Sequence, residues 1–271
     1  MKHIRLWTLF CGLVLTSQVS FGQMRGFEVG GWLGASNYFG DLNTNWRLTR
    51  VHLSGGLGAR YNFNDRLSFK LGATVGQISA YDSDSRNVYE QNRNLSFKSI
   101  LVDGTGQLEF NFLPYVHGHR DYFFTPYVFL GASVYHFNPR AELDGKWYNL
   151  LQYGTEGQFR GEEYSTTQGA LAYGLGFKVD LSYRWSVNVE LGGRKLFTDY
   201  LDDVSGVYAD VRDIRAQRGE IGAMLSDRSP EPKIGLPGRQ RGNGKNNDMY
   251  AFLTVGVMYY FGEIHCPEFL R

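Results

Sequence analysis

The chain has 271 residues, 34 of them Gly and 15% of them aromatic, with 20% charged residues and a formal net charge of +1. An even charge balance excludes a strongly basic nucleic-acid binder, and the aromatic content excludes a disordered chain. Glycine at this level without a Gly-x-y period excludes collagen and points to a β protein with many turns and close backbone contacts.

The chain opens as an export signal. Lys2, His3 and Arg5 form a positive start, Leu6 to Leu15 an apolar core, and Ser20 and Gly22 the small residues before a cleavage at Gln23. An apolar core of about 10 residues is too short to span a bilayer. Removing residues 1–22 takes away Lys2 and Arg5, which shifts the net charge from +1 to −1, and also Cys11. Cys266 is then the one cysteine of the exported chain, so it is either a free thiol or one half of a bridge to another chain.

Beyond the leader, the pattern alternates with period two. Leu67, Phe69, Leu71, Ala73 and Val75 share one face against Ser68, Lys70, Gly72, Thr74 and Gly76, and Leu171 to Leu181 and Tyr250 to Phe261 behave alike. Eight such segments are predicted, over 27–40, 51–63, 66–80, 98–113, 123–137, 168–181, 185–197 and 249–261. Their connections alternate between short and long, the last long one covering 198–248. Short turns on one side and long loops on the other predict an all-β, eight-stranded antiparallel transmembrane β-barrel spanning residues 23–262. Its long loops are extracellular, its short turns periplasmic, and its location the outer membrane, among outer-membrane lipids. A two-sheet sandwich is the rival, but it does not require one class of connection to be consistently short.

An eight-stranded bore is just wide enough to be filled by side chains. Glu28, Arg60, Lys70, Asp103, Glu109, Lys178, Asp180, Glu190 and Arg194 fall on the inward positions. Mixed signs that pair across the bore predict a plug and argue against a solute channel, and inward glycines at 56, 58, 72, 76, 174 and 176 leave room for long neighbours.

Reaction chemistry is sparse. Gly174-Leu-Gly and Gly56-Leu-Gly lack the third glycine of a dinucleotide loop, and GxxxxGK[ST], HExxH and GxSxG are absent. His117 and His119, with Asp121, fall in a predicted turn and are expected to be solvated, not metal-bound. Asp82 and Asp84 are expected to be loop-tip residues in place of a calcium site. Ser133 and His136, three apart on a strand, point to opposite faces. His52 and His136 lie near the outer rim and are what an enzyme would have to use. No cofactor, metal or nucleic acid is expected.

In the last loop, residues 211–226 are predicted to form a helix on the sparse apolar face of Ile214, Ile221, Met224 and Leu225, stopped by Pro230 and Pro232. Asp202 and Asp203 are expected to brace this loop, with Asp199 and Tyr200, through Arg228 or Arg241.

Several strings resemble a family of Bacteroidetes outer-membrane barrels that includes PorG of the type IX secretion system. They are Thr198-Asp-Tyr-Leu-Asp-Asp-Val-Ser205, Leu225-Ser-Asp-Arg-Ser229, the Asn246-Asn-Asp-Met-Tyr250 entry to the last strand, Glu28-Val-Gly-Gly-Trp-Leu-Gly34 and Tyr38-Phe-Gly-Asp-Leu42. The resemblance implies a non-enzymatic component of a protein secretion and gliding machine that associates with a periplasmic ring lipoprotein. The topology puts the tail, 263–271, in the periplasm. Its Cys266, Pro267, Phe269 and Leu270 are the expected docking residues, with Cys266 positioned for a mixed disulfide. A small-solute channel, an adhesin and a lipid-modifying enzyme are the alternatives.

Overall fold

The computed structural model describes residues 26–262. The leader and the tail bearing Cys266, Pro267, Phe269 and Leu270 lie outside the described residues. Ten strands occur in chain order: β1 (Gly26–Phe39), β2 (His52–Asn62), β3 (Leu67–Tyr81), β4 (Ser96–Asn111), β5 (Phe124–Phe137), β6 (Arg140–Leu143), β7 (Lys146–Asn149), β8 (Thr167–Asp180), β9 (Trp185–Leu196) and β10 (Met249–Tyr260). Two helices interrupt the loops, α1 (Val88–Arg93) and α2 (Val211–Ser226). The eight long strands pair antiparallel with their neighbours, and β1 pairs with β10 (Val29 opposite Tyr259) as well as with β2 (Glu28 opposite Arg60). The sheet therefore closes into an eight-stranded barrel with no free edge.

The eight strands start and stop within about two residues of the positions expected from alternation. Period two survives in the burial: along β4 every second side chain, from Phe97 to Asn111, is buried. Outward positions carry exposed aliphatics all round, including Leu33, Leu53, Leu57, Ile100, Leu130, Val134 and Leu253. In water such a belt would drive association; in a bilayer it is the solvated surface. At one rim Trp185 packs on Tyr259 at 4.9 Å, Tyr259 on Phe261 at 4.7 Å and Phe124 on Phe177 at 6.0 Å, an aromatic girdle at the membrane boundary.

The connections at the girdle end are 63–66, 112–123 and 181–184. The first is pinned by Asn64, whose Oδ1 accepts from the backbone N–H groups of Arg66 and Leu67, each at 2.8 Å. At the other end, 40–51, 82–95, 138–166 and 197–248 fold together into a cap. The β6–β7 hairpin, which alternation did not signal, extends the sheet from β4 through Lys98 opposite Arg140. Helix α2 spans the residues expected of it. Asp210 caps it by accepting from Arg212 N at 2.8 Å, and it breaks at Gly219, where φ is 83°. Ile214 and Leu225 are buried, whereas Met224 is largely exposed. The upper bore and the cap share one apolar core, in which Tyr38, Phe97, Tyr135, Phe137, Leu201, Val204 and Leu225 pack together.

Candidate functional site

The girdle half of the bore holds a dense charge network. Arg60 lies between Glu28, 2.9 Å from its Oε2, and Glu109, 2.8 Å from its Oε2. Lys178 Nζ sits 2.6 Å from the same Glu109 oxygen and donates to Asn111 Oδ1 at 3.0 Å. Higher up, Lys70 meets Glu190 at 2.9 Å and lies over the Trp32 ring at 4.6 Å. Arg194 approaches Asp103 at 3.4 Å, and Tyr250 donates to Asp103 Oδ2 at 2.6 Å. Asp180, at the end of β8, takes Tyr115 OH and lies 2.9 Å from His117 Nδ1. All nine inward charges expected from the strand pattern thus sit in the bore, each with a partner.

His117 corrects the sequence reading. It was expected in a solvated turn, but the 112–123 connection folds upward and buries it to 4% exposure. Its Nε2 lies 3.2 Å from Glu28 Oε1, and its ring stacks on Tyr260 at 4.2 Å. Burial alone would lower its pKa. The contacts and charges of Asp180 and Glu28 outweigh that and raise it to about 9, so the imidazole is cationic at neutral pH. The pattern of strands carried no signal for this, because a turn has no face to alternate.

Inward glycines do make room, but for aromatic rings more than for long charged chains. A Cβ on Gly58 or Gly72 would meet the Trp32 ring at 2.8 or 2.7 Å, and one on Gly176 the Tyr127 ring at 2.7 Å. The void left in mid-bore, between Trp32, Lys70 and Arg194, is about 20 Å³, the room of a water or two.

The cap contains a second cluster, of carboxyl groups. Tyr38 OH lies 2.6 Å from Asp202 Oδ2 and 2.8 Å from Asp248 Oδ1, and all three side chains are buried. A phenol has one hydrogen to donate. Two ionised carboxylates cannot both accept it, so the two contacts together require a proton on one of the acids. Backbone N–H groups of Val204 and Leu201 take the outer oxygens, each at 3.0 Å. Burial is the main cause that pushes both acids well above the usual carboxylate range, followed for Asp202 by the charge of Asp248 and for Asp248 by that of Asp199. Asp199 rises to about 7, through burial and then the Asp41 charge, and Asp41 itself rises to about 6, mainly through burial.

The arginines of the cap serve other acids. Arg93 binds Asp82 bidentately at 2.7 and 2.8 Å, and Arg241 donates to Glu156 Oε1 at 3.0 Å and to the Asp203 main-chain oxygen at 2.6 Å. Asp203 accepts from Tyr164 OH at 2.7 Å and Thr155 Oγ1 at 2.5 Å, and the Tyr200 ring stacks on Tyr164 at 4.9 Å. Arg228 does not meet the Asp202–Asp203 pair as expected. It donates to Ser96 Oγ on β4 at 2.7 Å, while the two acids are held by the hydroxyls of Tyr38 and Tyr164. The Asp–Tyr contacts were not visible in the sequence: Tyr38 and Asp202 are 164 residues apart.

At the outer rim His52 contacts Ser79 Oγ through Nε2 at 2.7 Å, and Gln77 Nε2 approaches its Nδ1 at 2.8 Å. An amide N–H donates, so Nδ1 accepts and the imidazole hydrogen sits on Nε2, donating to the serine. This is the wrong tautomer for a general base. His136 contacts Thr167 at 3.1 Å. Among the described residues no group of three His, Cys, Asp or Glu side chains is arranged to hold a metal ion.

Solved structures with some likeness include Neisserial surface protein A, 13% identical, covering 87% of this chain and 97% of that one, with a TM-score of 0.44. The outer membrane protein OprG of Pseudomonas aeruginosa is 13% identical over 89% and 97%, with a TM-score of 0.43. Ail, the attachment invasion locus protein of Yersinia pestis, is 11% identical over 88% and 97%, with a TM-score of 0.39. No curated protein matches the chain. The profile of a family described as a domain of unknown function, DUF6089, matches residues 5–220, and the chain belongs to that family.

Proposed function

We propose that the chain is a sealed outer-membrane barrel that serves a larger assembly as a membrane-embedded component, neither conducting solutes nor catalysing a reaction. The observation that carries this is the Arg60–Glu28–Glu109–Lys178 cluster, which joins four strands across the bore with all four side chains fully buried. The apolar belt and aromatic girdle support the membrane, and the tautomer of His52 speaks against hydrolysis at the Ser79 pair. The assembly is proposed on the sequence resemblance: a type IX secretion and gliding machine, with a periplasmic ring lipoprotein as partner and the Cys266 tail as contact. Affinity capture from membranes, run on non-reducing gels, tests it. The expected result is a ring lipoprotein that co-purifies and a higher-mass band that collapses with reductant and is lost in Cys266→Ser. Capture without any periplasmic partner, and secretion unchanged on deleting the gene, would overturn the reading.

A further inference from the structure

We propose that the outer rim of the barrel carries a binding groove for one outer-leaflet lipid with a phosphorylated saccharide headgroup. The proposal rests on the outer-membrane reading above. An open groove of about 560 Å³ lies on the outside wall where β1, β10, β9 and β8 end, overhung by the 40–46 and 243–247 segments. That volume is in the range of small-ligand sites.

The strand register builds the groove in layers. In the top row Phe39, Met249 and Lys195 stand side by side on the lipid-facing side. One step down, the row is Asn37, Ala251, Gly193 and Tyr173; the Tyr173 ring lies over Gly193 and its OH reaches Met249 Sδ at 3.2 Å, which leaves Ala251 as the small side chain of the row. A further step down, the row is Ala35, Leu253, Leu191 and Leu175, part of the exposed aliphatic belt. A shallow furrow over Ala251, walled by Asn37 and the Tyr173 ring, therefore leads from the groove toward the acyl zone, and the groove is continuous with the membrane-facing surface.

The upper part suits a sugar phosphate. Trp46, 65% exposed and held at a φ of 52°, stacks beside Phe39 at 4.7 Å and offers a ring face to a saccharide. The exposed amide of Asn246 supplies a donor and an acceptor from the strap above, and Asn247, whose Nδ2 donates to the Leu196 main-chain oxygen at 3.0 Å, keeps its Oδ1 and second amide hydrogen. Lys195 Nζ donates once, to the Asn247 main-chain oxygen, and an ammonium has three donors. Lys245 stands exposed on the same strap. The acid beside the groove, Asp41, is buried and occupied by the Asn243 N–H at 2.7 Å, so the exposed charge is positive. Rings, amides and a cation above an aliphatic furrow match a headgroup of sugar and phosphate above acyl chains, and match a bare anion or a plain phospholipid less well.

The test is native mass spectrometry of the full-length exported protein in amine-oxide micelles, with lipid A, phosphatidylglycerol or inorganic phosphate added. One lipid A molecule should stay bound at concentrations where phosphatidylglycerol does not, and millimolar phosphate should not displace it. Trp46→Ala, Lys195→Gln and the furrow-filling Ala251→Phe should each weaken retention about ten-fold. All three face outward, and unchanged heat-dependent migration on gels would show that the barrel still folds. Equal retention of both lipids, variants that bind like the parent, or displacement by phosphate alone would each overturn the proposal. A protein that fails to fractionate with outer membranes would instead overturn the membrane reading on which it rests.

Discussion

The two ends of the bore bury carboxyl groups by opposite means. At the girdle end and in mid-bore, Glu28, Glu109 and Glu190 are matched by Arg60 on the adjacent strand and by Lys178 and Lys70 reaching across the bore. In the outer cap, Asp202 and Asp248 share one tyrosine hydroxyl, and among the described contacts no arginine or lysine pairs with either. A buried charge needs a partner or must be neutralised. The plug pairs its carboxylates with cations, and the cap uses protons, which it must release as pH rises. The same carboxyl chemistry is thus satisfied by ion pairs in one region and by protonation in the other.

The largest expected effect comes from breaking the plug. Arg60→Met removes the cation that Glu28 and Glu109 share, leaving Glu28 to His117 and Glu109 to Lys178, and removing one partner of a buried ion pair costs about 3–5 kcal/mol. Urea unfolding in lipid vesicles should show a loss of that size, with the unheated gel form weakened. A cost below about 1 kcal/mol would mean that the network contributes little to holding the barrel together.

Next is the pH response of the cap. Its acids keep their protons when folded at pH values where the unfolded chain has lost them. Cap stability is therefore complete below about pH 4 and falls as pH rises, by at most about 1.4 kcal/mol per unit for each group. The fall continues through about 6 for Asp41 and Asp203, about 7 for Asp199, and higher for the Asp202–Asp248 pair. Amide protection within 197–248, taken relative to the intrinsic exchange rate at each pH, should fall between pH 5 and pH 8, while strand amides keep theirs. Asp202→Asn, which resembles the protonated acid, should flatten that response. An equal loss of protection in cap and strands would erase the distinction between the two ends.

How much of this was legible in the sequence follows the same division. The plug was readable because β-strand alternation assigns each of Glu28, Arg60, Lys70, Glu109, Lys178 and Glu190 to the inside without knowledge of its partner. The cap was not, because the Tyr38–Asp202 and Asp41–Asn243 contacts join residues far apart in sequence, through loops with no period. His117 failed for a related reason: the 112–123 turn is long enough to fold back into the bore mouth, where Glu28 and Asp180 attract it. Arg228 was assigned to the right loop but to the wrong acceptor, since composition does not say which wall a loop residue faces.

A smaller effect tests whether the cap is a packed element. Gly219 breaks α2 at φ 83° and ψ −177°, a backbone region closed to side chains, and a Cβ there would touch nothing within 4 Å. Gly219→Ala should therefore cost about 1–2 kcal/mol through backbone strain alone, seen as faster exchange in 211–226 and no change in the strands. An unchanged rate would mean that the helix moves freely of the core.

Single-channel recording in planar bilayers tests the sealed bore most directly. The parent protein, inserted and verified by its heat-dependent migration, should give no stable conductance steps, because the charge network and the Trp32 ring leave a mid-bore void of only about 20 Å³. Regular, long-lived steps from the parent protein would contradict the account.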